Sequence, residues 1–206
     1  MNRKAFSATI TPLLADGTLD HIGLEKIIKR NIRHGIDGIF FFGSMGEWGS
    51  FSDAFKEETV EYATEIINHH MEMLVGINAT SVYRSLEIMD SYRKYDFEAY
   101  VFMPPGKTSA LNPVQSVLKI LDCADRPVYL YHCPPNNGIN FTLNEFEIMM
   151  KHPNLKGIKN SSSNMWLRRE LLFLREEKGF QTQFFEGQEW AVDEALIAGY
   201  DGMICG

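Results

Sequence analysis

No apolar run in this chain reaches the roughly 18 residues that a membrane-spanning helix requires, so a transmembrane role is not expected. No Gly-x-Gly-x-x-Gly follows the first apolar run, which removes the usual sign of a dinucleotide-binding open sheet. Positive charge is in the minority. With 20 Lys and Arg against 27 Asp and Glu the formal net charge is -7, which speaks against a nucleic-acid footprint. There are only three cysteines, Cys123, Cys133 and Cys205, and none has metal-ligand spacing. An odd number suits a reducing compartment, and each thiol is read as a buried small hydrophobe. The segment Ala5–Ile10 is too short and too polar for a signal-peptide core. The expected location is the cytoplasm. No linker or low-complexity tract divides the chain, so residues 1–206 are read as one domain.

What the chain does have is alternation. Short apolar runs at 6–11, 38–42, 73–78, 99–103, 128–131, 155–160, 183–187 and 202–204 read as buried strands. Between them lie helical patterns. Asp20, Ser52 and Thr142 stand at helix starts, and Pro113 sits in a first turn. Strands alternating with helices argue a parallel sheet. Eight repeats favour a (β/α)8 TIM barrel over an open Rossmann-like sheet. The last strand ends beside Gly206, with no eighth helix after it, and such barrels take about 250 residues. The expectation is a barrel domain that is C-terminally truncated.

In a barrel the chemistry lies at the C-terminal ends of the strands. The sixth strand, Leu155–Asn160, carries Lys159 there, on the face shared with Gly157 and Leu155, while Lys156 has the opposite parity. A buried lysine requires a partner or a lowered pKa. A lysine of lowered pKa forms Schiff bases with carbonyl compounds, and a lysine snorkelling to solvent is the alternative. The fifth strand ends in Tyr131, a candidate proton shuttle. Tyr129 shares its face and is read as packing, and His132 has the wrong parity to join them. The second strand ends in Gly43-Ser44-Met45-Gly46-Glu47, whose glycines and Ser44 hydroxyl suit a carboxylate cradle. Glu186 and Glu189 are read as solvated or capping, Trp48, Trp166 and Trp190 as packing, and Ser161-Ser162-Ser163 as a helix start. An amine nucleophile, a proton shuttle and an anion cradle at one mouth are what Schiff-base chemistry on a 2-oxo acid needs.

The order of these motifs resembles the pyruvate-dependent class I aldolases, typified by dihydrodipicolinate synthase and N-acetylneuraminate lyase. Thr11-Pro12 with Asp16-Gly17 resembles the family's opening, Gly43–Glu47 its carboxylate loop, and Tyr131-His132-Cys133-Pro134 its Tyr-Asn/His-x-Pro motif. Gly157-Ile158-Lys159 resembles its Schiff-base strand, and Gly187 with Ala198–Ile204 its closing motif. The resemblance implies that Lys159 forms an imine with pyruvate or another 2-oxo acid and that Tyr131 shuttles protons. It implies that Ser44, with the N–H groups of Met45 and Gly46, holds the carboxylate. It also implies no metal or organic cofactor, a 2-oxo acid and an aldehyde as partners, a dimeric or tetrameric homo-oligomer, and C-terminal helices that are absent here.

Three departures narrow the expectation. Met45 stands where the family's loop has a second hydroxyl. Pro135–Gly138 carries no arginine, and Met103–Gly106 carries no tyrosine, where the synthases have both. These losses argue against a lysine-biosynthetic enzyme. Tyr131-His132 is nearer the sialic-acid-lyase branch. A 2-oxo acid dehydratase using the same imine, and a truncated non-catalytic relative, are the alternatives.

Overall fold

Runs rich in β-branched and aromatic residues, bounded by Gly, Pro and Asp, pair with like neighbours because burial on both faces favours a parallel ladder. The computed structural model describes residues 3–106 and 111–206. In it the strands are β1 (Lys4–Ala8), β2 (Gly38–Phe41), β3 (Glu72–Gly76), β4 (Ala99–Phe102), β5 (Val128–His132), β6 (Leu155–Asn160), β7 (Gln183–Glu186) and β8 (Gly202–Cys205). They close into a barrel in sequence order, with β1 paired in parallel to both β2 and β8. The helices are α1 (His21–Arg33), α2 (Asp53–Ile67), α3 (Val82–Tyr92), α4 (Pro113–Cys123), α5 (Pro134–Asn137), α6 (Leu143–Met150), α7 (Met165–Lys178) and α8 (Val192–Ala198). A 3-10 turn, Glu189–Ala191, precedes α8. The TIM-barrel expectation holds, and among the described residues no helix follows β8.

Local chemistry sets the helix starts. Asp20 and Ser52 each accept a backbone N–H at their helix N-terminus, and Thr142 and Glu145 cap α6 reciprocally. Pro113 follows the cap Asn112. The triple serine does not open α7; Asn164 caps it, and Ser161 and Ser162 are buried ahead of it. Helix α5 was not expected. Its two prolines occupy the first helical positions, where a missing N–H costs nothing.

Strand parity divides the core in two. Phe6, Phe40, Leu74, Val101, Tyr129, Tyr131, Phe185 and Ile204 fill the barrel. Ile39, Phe41, Val75, Leu130, Ile158 and Phe184 face the helices. Fully burying a side chain of this size contributes roughly 1.5–3 kcal/mol. One parity expectation fails. Val128 pairs with Leu155 but Tyr129 pairs with Gly157, so Lys156 is an extra residue in β6. This bulge turns Leu155 outward with Val128, onto the helix side. Beyond it, Gly157 lies beneath the Tyr129 ring, where a Cβ would approach within 2.7 Å, and Lys159 stays inward. Lys156 itself is exposed. An open groove of about 510 Å³ runs beside β1 and α1, lined by Ala8, Ile10, Ile27, Ile36 and Met45.

Candidate active site

Lys159 ends β6 inside the barrel, 4% exposed. Its Nζ lies 4.4 Å from the centroid of the Tyr131 ring and 5.2 Å from that of Phe40. Among the described residues no carboxylate forms an ion pair with it. Burial therefore pushes its pKa down to about 8, against weaker upward pulls from Cys205, Cys133 and Glu189. At neutral pH about one amine in ten is then unprotonated.

Tyr131 pairs with Lys159 across β5 and β6 and is 4% exposed. Its phenol is pushed up to about 12 by burial first and the neighbouring Cys133 second, so it keeps its proton at neutral pH. The hydroxyl lies 3.3 Å from Ser44 Oγ, and Ser44 Oγ accepts a 2.6 Å hydrogen bond from Asn136 Nδ2. Lys159, Tyr131 and Ser44 thus meet at one mouth.

The loop after β2 is held by its backbone. Phe42 and Glu47 are both left-handed, with φ +58° and +50°, a conformation that costs a non-glycine residue of order 1 kcal/mol or more. Gly46 sits tightly against backbone, and a Cβ there would lie 3.0 Å from Phe42 N and 3.1 Å from Thr9 O. Glu47 N donates to Ser44 O and Trp48 N to Gly43 O, closing the turn. Among the described residues nothing accepts from the N–H groups of Met45 and Gly46, which leaves both donors free. Asn78, which sequence reasoning missed, ties this loop to the next strands. Its Nδ2 donates to Phe42 O at 3.1 Å, and its Oδ1 accepts from Met103 N at 2.7 Å.

Two other groups were missed. Ser161 Oγ is buried beside the Tyr131 phenol, with no close hydrogen-bond partner among the described residues. A Cβ on Gly187 would come within 2.1 Å of it and 2.9 Å of Lys159 Cε, which explains the glycine. Glu186 is not solvated. It is fully buried and accepts from Arg168 Nε at 2.6 Å and Nη2 at 3.0 Å, and from the N–H groups of Gly187 and Gln188 at 3.1 and 2.9 Å. Arg168 also donates to Ser162 O at 2.8 Å, and Gln188 Nε2 to Ser161 O at 3.0 Å. This network fastens the ends of β6 and β7 to α7, on the helix side of the barrel wall.

His132 faces away from the site, as its parity requires. Its Nδ1 lies 3.0 Å from Asn160 Oδ1, and its ring packs against Phe141 and Phe146. Burial lowers its pKa, against smaller upward pulls from Asn160 and Ile139. Trp48 is half-buried and Trp166 is 75% exposed, which corrects the packing reading for Trp166; Trp190 is 59% exposed but lies against the Arg168 guanidinium, 5.6 Å from its ring centroid. Of the thiols, Cys133 is buried, while Cys123 and Cys205 are only partly so. Among the described residues no group of three or more His, Cys, Asp or Glu side chains has the geometry of a metal site. None of the described helices is long and apolar enough to cross a membrane.

The geometry has counterparts. A model of the dihydrodipicolinate synthetase family matches residues 1–206. A 4-hydroxy-tetrahydrodipicolinate synthase of Francisella tularensis subsp. novicida is 27% identical over 167 residues, covering 80% of this chain. The match spans 56% of that protein's length. An N-acetylneuraminate lyase of Escherichia fergusonii is 26% identical over 209 residues, covering 98% of this chain and 68% of the lyase. YagE, a prophage protein of E. coli K12 solved in complex with pyruvate, superposes with a TM-score of 0.91 at 23% identity. That likeness covers 98% of this chain and 69% of YagE, and it shows the fold.

Proposed function

The chain belongs to the dihydrodipicolinate synthetase family, and on that premise we propose that it is a class I aldolase, a lyase that makes or breaks a carbon–carbon bond beside a pyruvate imine on Lys159. The observation that carries this reading is the Lys159 amine, buried without a counter-carboxylate and 4.4 Å from the Tyr131 ring centroid. An unprotonated amine there attacks the C2 carbonyl of a 2-oxo acid, and loss of water leaves the iminium. The carboxylate rests on the N–H groups of Met45 and Gly46, with the Ser44 hydroxyl beside it. In cleavage the bond from C3 to C4 breaks and its electron pair flows into the iminium to give an enamine. The proton of the C4 hydroxyl passes to the Tyr131 oxygen as the aldehyde forms, and the phenol gives up its own proton toward C3. Water then releases pyruvate from Lys159.

The aldehyde belongs to the sugar-acid or sialic-acid-lyase type. Asn136 presents a neutral amide beside Ser44, a surface suited to hydroxyls. The same proposal places the protein in the cytoplasm as a homo-oligomer, a dimer or tetramer, which light scattering tests.

Exchange of the pyruvate methyl protons tests the imine without knowledge of the aldehyde. Incubated in D2O with pyruvate, the protein is expected to exchange those protons, followed by NMR, and Lys159→Arg to abolish the exchange. No exchange by the parent protein contradicts the proposal. Product analysis with sugar acids separates cleavage from dehydration: pyruvate plus an aldehyde marks an aldolase, and loss of water alone marks a dehydratase.

A further inference from the structure

The outer end of the Ser44–Tyr131 pair is an amide with a fixed place. Asn136 lies on α5, whose helical turn is closed by Asn136 N donating to Cys133 O at 3.0 Å and by Gly138 at φ +70°. The adjacent Asn137 anchors that turn, donating from Nδ2 to Pro104 O and accepting from Ile139 N, each at 3.0 Å. Asn136 Nδ2 points at Ser44 Oγ, 2.6 Å away, and Ser44 Oγ is 3.3 Å from the Tyr131 hydroxyl.

An amide nitrogen donates and does not accept. A serine hydroxyl that accepts on one side has its single proton free for the other. We infer that Asn136 is a positioning residue that fixes the direction of the relay: its N–H donates to Ser44 Oγ, Ser44 donates to the Tyr131 oxygen, and the Tyr131 proton is thereby turned toward the space above Lys159. When Tyr131 gives that proton to a substrate oxygen, the phenolate left behind is already held by the Ser44 hydroxyl, and the proton returns by the same path. With the amide reversed, Ser44 would donate outward and Tyr131 would lose that support.

The inference rests on the imine reading for its catalytic meaning, but the direction of the relay can be measured apart from activity. Asn136→Asp is the informative variant. Its carboxyl, protonated at about pH 4 or below, donates to Ser44 as the amide does; ionised at pH 7, it only accepts and reverses the relay. With tyrosine labelled at Cζ, the Tyr131 carbon is expected to shift between pH 4 and 7 in N136D and not in the parent. The shift is expected to vanish in the S44A/N136D double variant. The titratable groups around Tyr131, Lys159 and Cys133, are common to all three proteins. A shift of equal size without Ser44 would show a through-space charge effect and overturn the inference, as would no shift in N136D.

Pyruvate proton exchange gives the second readout. The N136D to parent rate ratio is expected to fall about tenfold from pH 4 to pH 7, less than the roughly 10²–10⁴-fold that a proton-transfer group itself contributes. The KM for pyruvate is expected to change far less. A constant ratio would place Oδ1 rather than Nδ2 against Ser44 and overturn the inference. A parent protein that exchanges no protons would sink the imine reading, while the carbon shift still decides the relay.

Discussion

Replacing Arg168 by Met tests how the barrel wall behind the site is held. The guanidinium and the Glu186 carboxylate are 2% and 0% exposed, so the pair is fully desolvated. Removing one partner from such a pair costs about 3–5 kcal/mol, because the other charge stays buried. Glu186 would keep two backbone donors, Gly187 N and Gln188 N, which places the loss near the lower end. About 3 kcal/mol is a large share of a domain stability of about 5–15 kcal/mol. For a chain of this length it lowers Tm by about 6–12 °C. Adding Glu186→Gln removes the orphan charge and keeps an acceptor for the two N–H groups. The R168M/E186Q variant is therefore expected to recover about 2 kcal/mol of the loss. Urea denaturation with unchanged m-values reads both differences. An R168M protein within about 1 kcal/mol of the parent, or a double variant no more stable than the single one, would refute the reasoning.

Other outcomes follow from the same geometry. Lys159→Met is expected to stabilise the fold at pH 7 by about 3 kcal/mol, since a pKa of about 8 against 10.5 means that the folded state resists the charge. The sign is fixed: the charging penalty is full below pH 8 and fades between pH 8 and 10.5, so the advantage of K159M should vanish in urea titrations above that range. Tyr131→Phe should keep imine formation while cutting turnover by about 10²–10⁴-fold, and an unchanged kcat would remove Tyr131 from the mechanism. Gly187→Ala places a methyl 2.1 Å from Ser161 Oγ and 2.9 Å from Lys159 Cε. It should displace the lysine and slow imine formation, and single-turnover rates equal to the parent's would contradict the close packing.

Much of this was legible because short apolar strands between capped helices admit few arrangements. The inward placement of Tyr131 and Lys159 follows from parity alone. What parity could not show was a break in the ladder. The bulge at Lys156 turned Leu155 outward, and only the pairing of β5 with β6 reveals it. Glu186 was misread because its partner is 18 residues away on α7. The signal was present in its position: one residue after the inward Phe185, it had to point at the helices, where a carboxylate requires a cation. Trp166 was read by size, yet it stands on the outer face. Ser161 was read as a cap by type, but Asn164 took that role and left the serine hydroxyl buried beside the Tyr131 phenol.

The central claim is that Lys159 is the amine that holds the 2-oxo acid. The direct measurement is reductive trapping: incubate the protein with pyruvate, add borohydride, digest, and locate the modification by mass spectrometry. The account predicts that the peptide carrying Lys159 gains pyruvic acid less one oxygen atom. It also predicts that trapping grows faster as pH rises toward 8, and that Lys159→Arg abolishes it. An unmodified Lys159 in a folded protein, or the adduct on another lysine such as Lys156, would contradict the account.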